Sequence, residues 1–213
     1  MANGRRALPV DHFFIPYFCG DLMTMDIQTL KERLLVSRAN QIRNPDLRLL
    51  GDDPGVPVAE LHALCYDTKH PQLAFRAAWL LEYIAVHHPN RFIPVADAFL
   101  AQLSNQENRS CQRHFTNILI RLTHPKAHQG YRDALLSADR EQLVETVFHW
   151  LIDPDTPVAI QANCMEVLLH LSNEFEWIKD ELKQQIEFLL RDGSPAIQSR
   201  GKKVLAALGR SEP

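Results

Sequence analysis

Four ten-residue segments of this chain align with one another without gaps, and that self-similarity restricts the fold more than any single motif. They are Phe75-Arg-Ala-Ala-Trp-Leu-Leu-Glu-Tyr-Ile84, Cys111-Gln-Arg-His-Phe-Thr-Asn-Ile-Leu-Ile120, Ile160-Gln-Ala-Asn-Cys-Met-Glu-Val-Leu-Leu169 and Ile197-Gln-Ser-Arg-Gly-Lys-Lys-Val-Leu-Ala206. Their first residues lie 36, 49 and 37 positions apart. The middle spacing is one period plus about a dozen residues, an excess that falls in 124–138, where Pro125 and Gly130 read as a loop. A period in this range marks stacked supersecondary units rather than a closed core.

Helical stripes alternate with the aligned segments. Phe92, Val95, Ala96, Phe99, Leu100 and Leu103 follow the i, i+3, i+4, i+7 rule. So do Leu143, Val144, Val147, Phe148 and Leu151, and again Phe175, Ile178, Leu182, Ile186 and Leu189. Each unit is therefore two helices, the aligned segment first. No alternating β-branched run occurs, so a sheet is not expected. The stretch from Ala74 to Val86 is apolar almost all round and needs neighbours on several sides, which stacked helix pairs supply. Thr156-Pro157 and Ser194-Pro195 each read as a hydroxyl N-cap before a helix-opening proline, and Asp139 with Gln142 has capping-box spacing.

The reading is an all-α, right-handed α-α superhelix of about 3.5 helix pairs plus an N-terminal helical cap. Residues 25–210 form one repeat domain, with clean repeats from about Gln72 to Leu208. The cap is expected as a helix at about 26–41, a Pro/Gly/Asp-rich loop from Asn44 to Pro57 and a helix at about 58–69. Residues 1–24, with Arg5-Arg6 and Phe13-Phe14-Ile15 interrupted by Asp11 and His12, are expected to be a disordered extension ahead of a domain beginning near Met25. The last helix carries Arg200, Lys202, Lys203 and Arg210, as suits a terminal cap facing water.

The helix pair of about 36 residues resembles a HEAT repeat. Arg76-Ala-Ala-Trp79 followed by His88-Pro89, Pro157-Val-Ala159 ahead of Met165-x-Val-Leu168, and Ser199-Arg-Gly-Lys-Lys-Val-Leu205 resemble a small bacterial family of HEAT-like proteins. Members of that family often carry an adenylosuccinate lyase label. The lyase's flexible Ser-Ser-x-Met-Pro-x-Lys-x-Asn loop is missing here, so its catalytic residues map onto no position of this chain. The resemblance implies an armadillo-like binding protein in which the second helix of each pair lines the concave face.

Few residues suggest chemistry. Cys19, Cys65, Cys111 and Cys164 form no C-x-x-C pair, and Cys111 and Cys164 fall on apolar stripes, as buried thiols of a reducing cytoplasm do. No Gly-x-Ser-x-Gly elbow and no Gly-rich phosphate loop occur. Of the ten His, His87-His88 reads as a helix C-terminus favoured by the dipole. His114, His124 and His128 form the one arrangement that invites a metal, with Asp133 as its only acidic neighbour. No catalytic, cofactor-binding or metal-ligating residue is expected. Trp79 and Trp150 fall on apolar stripes and read as core. With Trp177 they also resemble the tryptophans used at the site of HEAT-like alkylpurine DNA glycosylases, the second functional reading.

Charge weighs against that reading. The net charge is −3, and residues 139–192 alone sum to −8, between +2 for 92–138 and +3 for 193–213. An acidic inner face repels phosphates and attracts a basic protein segment. Glu141, Glu145, Glu176, Asp180, Lys183 and Glu187 are the residues expected to form that partner surface. The function expected is therefore a cytoplasmic, non-enzymatic protein-binding module whose partner is a protein or peptide of basic character; nucleic acid and membrane are not expected partners.

Overall fold

The computed structural model describes residues 24–36 and 45–210, which contain eleven α-helices and no strand. They are α1 (Ile27–Val36), α2 (Pro45–Asp52), α3 (Val58–Leu64), α4 (Pro71–His87), α5 (Pro89–Ala101), α6 (Arg109–Thr123), α7 (Gln129–Ser137), α8 (Arg140–Ile152), α9 (Val158–Leu171), α10 (Trp177–Leu190) and α11 (Pro195–Leu208). The four aligned segments are α4, α6, α9 and α11, and each packs along its length on the next. Behind them lie the second helices of the pairs: α5 packs on α4, α8 on α9, and α10 on both α9 and α11, while α1, α2 and α3 pack on α4 and α7 on α5 and α6. The chain is thus a two-row helical repeat solenoid. The nearly all-apolar α4 meets α1, α2, α3, α5 and α6, the many-sided burial its sequence demands. Residues 1–23 of the expected N-terminal extension lie outside the described residues.

One buried cluster runs the length of the stack. Phe92, Phe99 and Phe115 are fully buried, with Phe99 and Phe115 rings 4.8 Å apart between their centroids. Cys111 and Cys164 belong to this core, as does Cys65.

The second position of each aligned segment has a structural duty. Gln161 donates from Nε2 to the carbonyls of Leu151 and Asp153 (3.2 and 3.4 Å), Gln198 to that of Leu190 (2.5 Å), and Gln112 to that of Gln106 (2.7 Å). Arg76 does the same toward Leu34 and Leu35 (2.8 and 2.6 Å). The last carbonyls of a helix have no partner within it. Gln161 and Gln198 satisfy carbonyls at the end of the preceding helix, Arg76 satisfies those at the end of α1, three helices earlier, and Gln112 serves one in the turn before its own helix. Gln161 is buried, so losing its donor strands those carbonyls away from water.

Several loop signals belong to helices. The expected loop from Asn44 to Pro57 contains α2, opened by Pro45 and burying Leu47 and Leu50. Gly51 lies in α2 because a Cβ there would meet the Tyr83 ring at 2.3 Å. The expected loop at 124–138 contains α7, which buries Tyr131, Ala134 and Leu135 on one stripe. Gly130 is again a matter of close approach: a Cβ would meet Ile93 Cδ1 at 2.5 Å. The helix expected at 58–69 stops at Leu64, because the Asp67 carboxylate takes the Lys69 and His70 N–H groups and folds the chain into a turn. The helix expected at 26–41 is α1, described to Val36.

The caps divide similarly. Asp139 accepts from the Gln142 N–H and Ser194 from that of Ile197. Thr156 does not cap: Pro157 occupies the cap position of α9, and the Thr156 hydroxyl accepts from Arg109 at 3.1 Å instead.

This packing sets two expectations for stability. Gln161→Ala lowers unfolding stability by about 1–2 kcal/mol in urea melts, with an unchanged far-ultraviolet spectrum. The second concerns His62, buried among Tyr66, Phe99 and Phe115 with its Nε2 unpartnered. Burial holds its imidazole neutral, with the pKa down at about 4 against an ordinary 6.5. Between those values the unfolded chain binds a proton there that the folded chain does not. This contribution is complete above pH 6.5 and lost as pH falls toward 4, by up to about 1.4 kcal/mol per pH unit. Melts of His62→Leu across that range show a shallower acid loss than the native protein.

Candidate binding groove

A cavity of about 630 Å³ forms a groove along the α4–α6–α9–α11 row. Trp79, Glu82, Tyr83, Val86 and His87 come from α4, and Asn117, Ile120 and Arg121 from α6. Asn163 and Glu166 come from α9, Arg200 from α11, and His124 follows α6. On α4 and α6 these residues follow the i, i+3, i+4 pattern and on α9 they are three apart, so each of these helices turns one stripe to the groove.

Its polar floor is a ladder that crosses each helix junction. Glu82 accepts from Asn117 Nδ2 at 3.0 Å and meets His114 Nδ1 at 2.5 Å. Asn163 Nδ2 donates to Asn117 Oδ1 at 2.7 Å and to the Thr116 hydroxyl at 3.1 Å. Glu166 forms an ion pair with Arg200. In repeat terms, the fourth and seventh positions of neighbouring segments meet at the last two junctions: Asn117 with Asn163, and Glu166 with Arg200. At the first junction the seventh position is Leu81, and the eighth, Glu82, reaches His114 instead. The carboxylates of the groove are thus held internally. Arg121 is exposed, and it is the lining cation outside any ion pair.

Aromatic groups form one wall. Trp79 is half-buried and lies nearly parallel to the His114 imidazole, centroids 6.3 Å apart and planes 14° apart. Trp79 packs against the core, as expected, and its exposed side also lines the groove edge, whereas Trp150 is fully inside. Tyr83 packs on His87 at 4.4 Å and donates from its hydroxyl to Asp52 at 2.8 Å. His88 Nε2 reaches the same carboxylate, and those hydrogen bonds hold Asp52 below the usual carboxylate range.

The three histidines weighed as metal ligands are used separately. His114 pairs with Glu82, His124 accepts from the Lys126 N–H, and His128 caps α7 by accepting from the Gly130 N–H. No group of three His, Cys, Asp or Glu among the described residues has metal-binding geometry. The thiols of Cys65, Cys111 and Cys164 are buried and unpaired in disulfides, and burial pushes all three up, Cys111 to about 12. Thiols so protonated are poor nucleophiles.

The partner-surface residues Glu141 and Glu145 lie on α8, Asp180, Lys183 and Glu187 on α10, and Glu176 immediately precedes α10 without capping it. All six are exposed. None lines the groove, because the groove belongs to the aligned helices and the acidic helices form the other row. The carboxylates that do line the groove are Glu82 and Glu166, each held by a neighbouring helix. Amphipathic periodicity marks which face of a helix is buried, but not which of two rows borders the open side. The Asn117–Asn163 pair stands inside the aligned segments, at positions whose polarity interrupts the apolar pattern.

A second cavity, about 580 Å³, lies at the loop edge between Tyr66 and Asn108. Its polar groups close the loops: Tyr66 donates to the Gln102 carbonyl and Gln106 to that of Cys65.

The ladder sets a prediction for the groove. Glu82→Ala leaves Asn117 and the buried His114 without their acceptor and lowers stability by about 2 kcal/mol in chemical denaturation, while Glu82→Gln loses less.

No helix among the described residues is long and apolar enough to cross a membrane. No curated protein and no solved structure matches the chain. A family model for the HEAT repeat domain matches residues 50–208, the span of the helices that build the two rows and their stitched groove. With its repeat period, helix pairing and this match over most of its length, the chain belongs to the HEAT repeat family.

Proposed function

We propose that this protein is a non-enzymatic binding module that holds an extended segment of a partner protein in the α4–α6–α9–α11 groove. The Asn117–Asn163 pair carries the reading. Each side-chain amide has two N–H donors and one acceptor oxygen. Asn163 donates to Asn117 and Thr116, which leaves its own oxygen to accept; Asn117 donates to Glu82 and keeps a second N–H. One acceptor and one donor side by side match the groups that an extended backbone presents. Trp79, Tyr83, Val86 and Ile120 supply apolar walls for partner side chains. Buried thiols without disulfides fit a reducing cytoplasm.

The other classes fit less well. A glycosylase cleft must neutralise many phosphates. Here Arg200 is already neutralised by Glu166, which leaves Arg121. The lyase label finds no matching loop in the sequence.

Panning a phage-displayed library of random peptides against the protein tests the reading. Enriched peptides bind the native protein and lose about tenfold or more in affinity to Trp79→Ala and to Asn163→Leu. Enriched peptides indifferent to both substitutions, or release of an alkylated base from duplex DNA by the purified protein, overturn it.

A further inference from the structure

The second row carries a surface that the groove does not use. Trp177 and Phe188 are 53% and 60% exposed on α10, and Ile152 is 52% exposed on α8. Trp177 stacks on Phe148 of α8, centroids 5.7 Å apart and planes 23° apart, so aromatic surface bridges the two helices. On α10, Trp177 and Phe188 are eleven residues apart and share one stripe, about 16 Å long. On α8, Glu141, Glu145, Phe148 and Ile152 share another stripe by the same spacing.

Carboxylates border both apolar stripes. Glu141 and Glu145 continue the α8 stripe, while Glu176, Asp180 and Glu187 run beside the α10 stripe with Lys183 among them. Glu181 sits between Trp177 and Phe188. None of these six carboxylates enters any of the ion pairs among the described residues. The Arg191 guanidinium lies 5.7 Å over the Phe188 ring, so an aromatic of this face already holds a cation.

We propose that the α8–α10 face docks a basic amphipathic helix of a partner protein. Its apolar side chains cover Trp177, Phe188 and Ile152, and its Lys and Arg side chains meet the flanking carboxylates. Charge complementarity selects this occupant: exposed apolar surface edged by carboxylates matches a helix that carries cations beside its apolar stripe. An anionic membrane or nucleic acid is repelled by the same carboxylates. The surface is independent of the groove and lies on the opposite row.

A designed amphipathic Leu/Lys helix of about four turns serves as the probe, with its Leu/Glu counterpart as control. Binding is followed by calorimetry on the full chain, with circular dichroism of each variant as the folding check. The Leu/Lys helix binds at one-to-one stoichiometry, weakens about tenfold or more between low and high salt, and the Leu/Glu helix does not bind. The double reversal Glu145→Lys with Glu181→Lys, and separately Trp177→Ala, each weaken it about tenfold. Reversal of Glu107 and Asp133, exposed carboxylates on other elements, leaves it unchanged, and so does Trp79→Ala in the groove. Equal loss from both reversals, binding of several helices per chain, or indifference to Trp177→Ala overturns the assignment. So does self-association of the protein that the Leu/Lys helix fails to displace.

Discussion

Each helix of the groove row must satisfy polar groups it does not own, and the stack depends on that obligation. A helix ends with carbonyls that have no partner inside it. In this chain the second position of the following aligned segment supplies one: Gln161 to the end of α8, Gln198 to the end of α10, and Arg76 to the end of α1. Apolar burial alone leaves helices free to slide along one another. A donor fixed to a particular carbonyl sets the axial register, and the ladder from Glu82 to Arg200 sets it again on the groove side.

That arrangement makes the structure tolerant in one direction and rigid in another. Contacts run between neighbours in the stack, so an extra helix is accommodated where it can find local cover. The segment at α7 does so by burying Tyr131, whose hydroxyl donates to the Ala85 carbonyl at 2.6 Å. The α6–α9 junction beside it keeps its Asn117–Asn163 bond despite the longer spacing between those segments. The groove is thus preformed, with its carboxylates held before any partner arrives. Preformed polar geometry lowers the ordering cost of binding.

The repeat and its helices are legible in the sequence because apolar periodicity and period length are local properties of the chain. The HEAT resemblance follows from them. Other features are not legible, for physical reasons. Gly51 and Gly130 have the composition of turns, yet each makes room for a side chain from a distant helix, Tyr83 and Ile93, which no local pattern reveals. Thr156 stands in a good capping position, and Arg109, 47 residues away, claims its hydroxyl. Trp79 and Trp150 share the same pattern, and only the placement of α6 against α4 makes one a groove wall. The acidic block is plain in the sequence and falls on α8 and α10, while the groove is lined by the aligned helices. The stacking of Phe148 on Trp177, which turns that block into a defined face, joins side chains 29 residues apart on different helices.

Residue-resolved amide hydrogen exchange of the free protein tests most directly whether stitched junctions hold the row together. Helices α6 and α9 are clamped on both sides by neighbours in the row, whereas α11 has one such neighbour. The slowest amides should therefore lie in α6 and α9 and exchange only with global unfolding, with α11 opening first by fraying. Amides of α6 and α9 that exchange as fast as those of α11, or a stack that opens separately on either side of α7, would contradict the account.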